Sequence, residues 1–297
     1  MNRQKVVGFT AGLLPVIVIL VFVGMPLLFA ILYSLGYGGG LNSSVSDIAQ
    51  HQILVKHGLT VAPYAVLLHT KSFQRDLWTS IWVTVLTTIL LLVLAWLIAI
   101  YLRFNKGRLA KIVSSLYIVP MFIPVVIASY ALVEFWNDGG ILQSILFHLG
   151  LGQISMPGFT NFGIVIGLLW TSLPFSVLLL GSGLYGVPDA YIEAARDIGA
   201  SRFAIFRKVL LPMNKLPTMI VLTFTATGMM GSFTIPDIMG PSAPQMLGVA
   251  MTDYFQAFNE PQQSEVMAML LFIGALLLSA LYVFANLSEN RKMGVQR

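Results

Sequence analysis

Apolar residues run along this chain in long continuous blocks, and polar residues gather in the stretches between them. Six blocks stand out, at about 9–35, 78–102, 112–136, 161–185, 216–236 and 266–286. Each approaches or exceeds the roughly 20 mostly apolar residues that a bilayer-spanning helix requires. Within the blocks apolar and polar positions do not alternate, as a barrel strand would demand, so they predict helices whose amides bond internally. The expected fold is therefore all-α: a polytopic membrane protein, one transmembrane domain over 1–297 with six helices.

Composition agrees. With 57% apolar and 10% charged residues, the chain lies far from soluble domains, in which about 25% of residues are charged. The net charge of +5 would suit a nucleic-acid partner, but its distribution points elsewhere. If Arg3 and Lys5 are cytoplasmic and each block reverses sides, every Lys and Arg except Lys56, Lys71 and Arg75 falls in a cytoplasmic segment. Basic residues near span ends set membrane topology. The charge thus predicts a multi-pass membrane protein with both termini cytoplasmic, and no nucleic-acid partner. The first block exceeds the length of a signal-peptide core and lacks a small-x-small cleavage site, so a retained helix is expected. The chain has no cysteine, which excludes disulfides and thiol chemistry.

Between the first two blocks lies a long external excursion, Gly36–Leu77. Gly38-Gly39-Gly40 and Asn42-Ser43-Ser44 predict turns there, and Val61–Leu68 a short interfacial helix. In the third block Pro120 and Pro124 stand one helical turn apart and predict a kink, either for packing or along a pathway. In the fourth, Gly163 and Gly167 let helices approach closely. Gly181-Ser182-Gly183-Leu184-Tyr185-Gly186 has the spacing of a dinucleotide fingerprint, but it follows a membrane helix rather than a strand and carries no such meaning. There is no phosphate-binding G-x-x-x-x-G-K-[ST] run and no H-E-x-x-H, and His51, His57, His69 and His148 are scattered. No catalytic residue, metal site or bound cofactor is expected.

The fifth block carries hydroxyls and glycines unusual for a lipid-facing helix. Polar groups within a span face a bundle interior or a cavity. Thr227, Gly228, Ser232, Phe233 and Thr234 thus join Pro120 and Pro124 as candidate pathway-lining positions, with ordinary helix packing as the alternative.

The cytoplasmic insert 186–215 is the most informative segment. Pro188 suits the first position of a helix, and Asp189 complements its dipole. Gly199 suits a left-handed C-cap, and Ser201 can cap a second helix ending at Leu211-Pro212. Tyr191, Ile192, Ala195 and Ile198 recur at helical spacing as an apolar stripe, a shape that slots into a groove on a partner.

Glu193-Ala194-Ala195, Gly199 and Val209-Leu210-Leu211-Pro212 together resemble the EAA loop of the permease subunits of ABC importers, E-A-A, three residues, G, nine residues, I-x-L-P. Only Val209 departs from the pattern, and it preserves shape. The resemblance implies that Glu193, Ala194, Ala195, Asp197, Gly199, Leu211 and Pro212 form a coupling element for separate ATPases. It further implies two ATP-binding cassette subunits that hold ATP and Mg, a second permease subunit (identical or different), and an extracytoplasmic solute-binding protein. Gly231-Ser232-Phe233-Thr234-Ile235-Pro236 looks like the polyamine and aminophosphonate branch. Many of its members have an acidic residue where this chain has Ser232, while Pro120–Pro124 and Glu134–Leu142 also suit the sugar-uptake branch. An ion-coupled secondary transporter and a non-transporting scaffold are the alternatives. The first would use a charge near mid-membrane, and only Glu134 and Asp237, near block ends, are at hand.

Overall fold

The computed structural model describes residue 13 and residues 15–37, 59–152 and 154–292. Among them every regular element is helical. The first apolar block forms α1, Pro15–Ser34, with a π turn at Leu20–Gly24. Residues 9–12 of that block and the turns expected at Gly38-Gly39-Gly40 and Asn42-Ser43-Ser44 lie outside the described residues. A short α2, Ala62–His69, occupies the place of the expected interfacial helix. The second block is α3, which runs from Lys71 to Phe104 and so takes in the polar end of the excursion. The fourth block is α7, Asn161–Tyr185, whose first turn is capped by Thr160 Oγ1 accepting from the Gly163 amide at 3.3 Å.

Two blocks do not form the single helices expected of them. The third yields α4 (Arg108–Leu116), a 3-10 turn (Val119–Phe122) and α5 (Val125–Trp136); α6 (Ile141–His148) follows beyond the block, and Arg108–Phe122 is bent by 114° against Val125–His148. Proline disfavours helical geometry in the residue before it. Ile123 accordingly lies extended at φ −99, ψ 123, and Pro124 becomes the N-cap of α5. The prolines end one helix and start another rather than kink one. The insert forms α8 (Asp189–Asp197) and α9 (Arg202–Met213); the latter meets α10 (Lys215–Met230) at 74°. The fifth block stops at Met230 and resumes as α11, Thr234–Met239. Then come α12, Leu247–Gln256, and α13, Pro261–Lys292, which overruns its block at both ends. Among the described residues four helices are long and apolar enough to cross a membrane, or six if each bent pair is one span.

The helices group into two compact units. One holds α1, α2, the start of α3 to Gln74, and Ala250–Ile273. Within it Ser34 Oγ and the Tyr64 hydroxyl share a 2.8 Å hydrogen bond, and Ser264 Oγ donates to the Met251 carbonyl at 2.8 Å. The other spans Arg75–Val249 and the tail from Gly274, and it holds the candidate sites. Its first core joins α3, α5, α7, α10 and α11 through Val83, Leu91, Val133, Ile164, Leu168, Met229, Ile235 and Met239. Gly163 makes this packing possible: a Cβ there would stand 2.6 Å from the Pro157 carbonyl oxygen and 3.1 Å from that of Met239. The amide of Leu247 donates to Ser80 Oγ at 2.7 Å, and that of Gln245 to Asp76 Oδ1 at 2.9 Å, tying the start of α12 to α3.

Candidate functional site

The insert folds as two helices hinged at a glycine. Pro188 is the N-cap of α8, one position earlier than its expected place, with its backbone extended at ψ 137. The helix closes with a Schellman pair: Ala200 N–H to Ala195 O at 3.0 Å and Gly199 N–H to Arg196 O at 2.8 Å. That closure requires a left-handed residue, and Gly199 supplies it at φ +77. Ser201 Oγ accepts from the Ala204 amide at 3.2 Å and starts α9, which widens into a π turn at Phe206–Leu210.

A second hydrophobic core ties the insert to the helices above it. Ile192, Ile205 and Leu210 are buried together with Ala95, Trp96 and Ala99 of α3, Val177, Leu180 and Leu184 of α7, and Val221 of α10. The Trp96 and Phe206 rings meet edge to face at 5.2 Å. The stripe expected on α8 is divided by this packing. Ile192 is 2% exposed and Ala195 packs against the core, while Tyr191 is exposed and Ile198 is 85% exposed. At about 100° per residue these four positions fan over more than a quarter of the helix circumference, wider than the contact with the core. Glu193, Ala194, Asp197 and Gly199 are exposed with Ile198, as is Phe203 on α9. Leu211 is half-buried against the core, and Pro212 is exposed.

Two residues that the sequence did not single out hold this joint. Asn214, fully buried between α9 and α10, donates its side-chain amide to the Leu180 carbonyl at 3.1 Å. Arg103, near the end of α3, reaches both the end of α7 and the start of α8. Their partners lie 34 to 86 residues away, so no local pattern announced them.

A cavity of about 410 Å³ opens farther along α7 and α10. Thr171, Ser172 and Phe175 line it from α7, and Phe224, Thr225, Gly228 and Met229 from α10, with Ser232, Val125 and Ile235 completing the wall. Of the seven pathway candidates, Gly228 and Ser232 stand in this wall. Thr227 turns away; its hydroxyl is buried and finds no partner among the described residues. Phe233 is exposed at the N-cap of α11, and Thr234 is the first residue of that helix. Pro120 is half-buried in the 3-10 turn, and Pro124 is exposed at the start of α5. The wall carries hydroxyls and two aromatic rings but no ionisable side chain. Among the described residues no group of three or more His, Asp or Glu side chains could hold a metal ion.

A spermidine/putrescine transport system permease protein PotB of Salmonella typhimurium is 28% identical over 235 residues, 78% of this chain and 79% of its own length. PotB of Haemophilus influenzae is 29% identical over 183 residues, 61% of this chain. The chain spans 64% of the Haemophilus protein, less than two thirds of its length. A chain of a bacterial alginate ABC transporter, solved in complex with alginate pentasaccharide-bound periplasmic protein, shares the fold with a TM-score of 0.77 at 15% identity, covering 99% of this chain and 97% of that one. Residues 92–294, well over half of the sequence, match the model of one family, and the chain belongs to it: the binding-protein-dependent transport system inner membrane components.

Proposed function

We propose that this chain is the permease subunit of an ABC importer, forming with a second permease subunit the translocation pathway for a small polar solute. An extracytoplasmic binding protein delivers the solute, and two separate ATP-binding cassette subunits, holding ATP and Mg, supply the energy; this chain hydrolyses nothing. The observation that carries the reading is α8. It presents Glu193, Ala194, Asp197 and the bare Ile198 side chain outward while Ile192 roots it in the body of the protein. A short amphipathic helix so mounted suits a groove on a partner, and its Glu193-Ala194-Ala195 opens the segment that resembles the EAA loop. Six spans with both termini cytoplasmic put this loop on the ATPase side, in keeping with the distribution of Lys and Arg.

For the solute, the relatives named for spermidine and putrescine favour the polyamine and aminophosphonate branch, and the fold shared with an alginate transporter keeps sugars in view. Gly228 and Ser232 are the pathway positions that the cavity supports. Pro120, Pro124, Phe233 and Thr234 are assigned to the same stretch of the route, whereas Thr227, outside the cavity wall and with its hydroxyl buried, is assigned to packing.

The test is co-purification and uptake. Produced with a partner ATPase and binding protein, the chain retains the ATPase through purification and shows no hydrolysis by itself. Glu193→Lys inserts normally but loses ATPase association and uptake, because a broken, half-buried interface ion pair costs about 2–5 kcal/mol. Wild-type uptake in that variant, or hydrolysis by the isolated chain, would overturn the assignment.

A further inference from the structure

The end of α7 and the start of α8 meet at one side chain. Arg103 Nε donates to the Leu184 carbonyl at 3.3 Å, and Nη2 donates to the Val187 carbonyl at 3.2 Å and to Asp189 Oδ1 at 2.5 Å. The guanidinium also lies over the Tyr185 ring at 5.7 Å and the Phe104 ring at 5.9 Å. The Tyr185 hydroxyl returns a bond to the Leu102 carbonyl at 3.4 Å. Three helices, α3, α7 and α8, therefore share one clasp.

Each element of the clasp answers a physical need. The last carbonyls of a helix lack intrahelical partners and carry partial negative charge, whereas the first turn of the next helix is partially positive. A guanidinium at the end of α7 and a carboxylate at the start of α8 complement both. The burial is unequal: the Arg103 side chain is 14% exposed and that of Asp189 68%. The carbonyls and rings thus enclose the cation, and the ion pair is its solvent-facing edge. Only a planar fork with several donors can serve these acceptors at once; a lysine ammonium on a flexible stem cannot hold the same geometry.

We infer that Arg103 is a positioning residue that locks the ATPase-facing helix α8 to the membrane helices α3 and α7, so that displacement of α8 moves them as one body. This rests on the docking role proposed above for α8. Arg103 touches neither solute nor ATPase in this scheme; it acts through the helix it holds. The readout of this role is the relative motion of α7 and α8.

The native chain has no cysteine, so paired spin labels can be placed in it without a background substitution, and any cysteine of the partner subunits is replaced beforehand. Leu178→Cys on α7 and Ala190→Cys on α8 are labelled in the full transporter, this chain with its second permease and ATPase subunits. Their separation is measured nucleotide-free and after vanadate trapping with Mg-ATP. In the wild-type background the separation stays constant on trapping, because the clasp holds. In Arg103→Gln the two states separate and the distribution broadens; Arg103→Lys, which keeps the charge and guards against a variant that fails to fold, shows a smaller shift in the same direction. Asp189→Asn changes least, since both carbonyl contacts survive. Uptake per ATP hydrolysed, with putrescine as the probe where the transporter accepts it, falls severalfold in the same order. If the ATPase stays bound and both Arg103 variants keep the wild-type separation in both states, the inference is overturned while the docking reading stands. If no ATPase accompanies the wild-type chain, the docking reading falls and the inference with it.

Discussion

Two stretches of α7 differ in how they are held. Toward Tyr185 one face is fastened: Leu180 and Leu184 are fully buried, Asn214 bonds the Leu180 carbonyl, and Arg103 bonds that of Leu184, while Gly181, Ser182 and Tyr185 border a separate cavity. In its middle, Thr171, Ser172 and Phe175 border an open cavity that the chain's own side chains leave unfilled. One helix thus joins a hydrogen-bonded fastening to a cavity wall. The difference teaches where substitutions act: at the fastening they cost stability, and at the wall they change access.

The sharpest way to break this contrast is Ile192→Ala. It removes a 2%-exposed side chain from the core shared by α3, α7, α8 and α9, and such truncations cost about 2–5 kcal/mol. A fall in the thermal midpoint of the detergent-purified chain is expected; no fall would mean that α8 is not rooted there. Gly163→Ala comes next. Backbone oxygens of Pro157 and Met239 occupy the space a methyl needs, and overpacking costs about 1–3 kcal/mol, visible as reduced membrane abundance and earlier unfolding. Gly199→Val follows, at about 1–2 kcal/mol for a left-handed backbone in an L-residue, with the additional loss of ATPase association if it re-aims α8. Ile198→Ala should leave the thermal midpoint unchanged, since the side chain is 85% exposed, yet weaken ATPase association in pull-down. Smallest of all, Ser232→Cys should cost almost no stability but react with a water-soluble thiol reagent in the assembled transporter. Thr227→Cys, from a buried hydroxyl, should react far more slowly, and equal rates would erase the distinction between wall and packing.

The parts legible in the sequence were those specified locally. α7 begins after its Thr160 cap and ends at Tyr185, where the apolar block ends. Gly199 and Ser201 occupy the conformations their chemistry suggested. The broken helices were less legible, because an unbroken apolar run does not distinguish one span from two helices with a turn between them. The proline rule held the missing signal: Ile123, preceding Pro124, was the residue to read as extended. On α8 the apolar stripe expected to enter a partner's groove is partly used within the chain itself: Ile192 and Ala195 pack into its own core, and only Tyr191 and Ile198 stay exposed. Arg103 and Asn214 were invisible for a different reason. Both act on carbonyls of a distant helix end, and a carbonyl has no letter in the sequence.

The bareness of Ile198 and Phe203 has a consequence for biogenesis. Large exposed apolar side chains are what proteases and chaperones sample in newly made proteins. On the docking role proposed for α8, a copy without its ATPase would display the same signal as a misfolded one. The insert would then double as a stoichiometry check: copies in excess of their partners would stay marked for disposal, and assembly would conceal the mark.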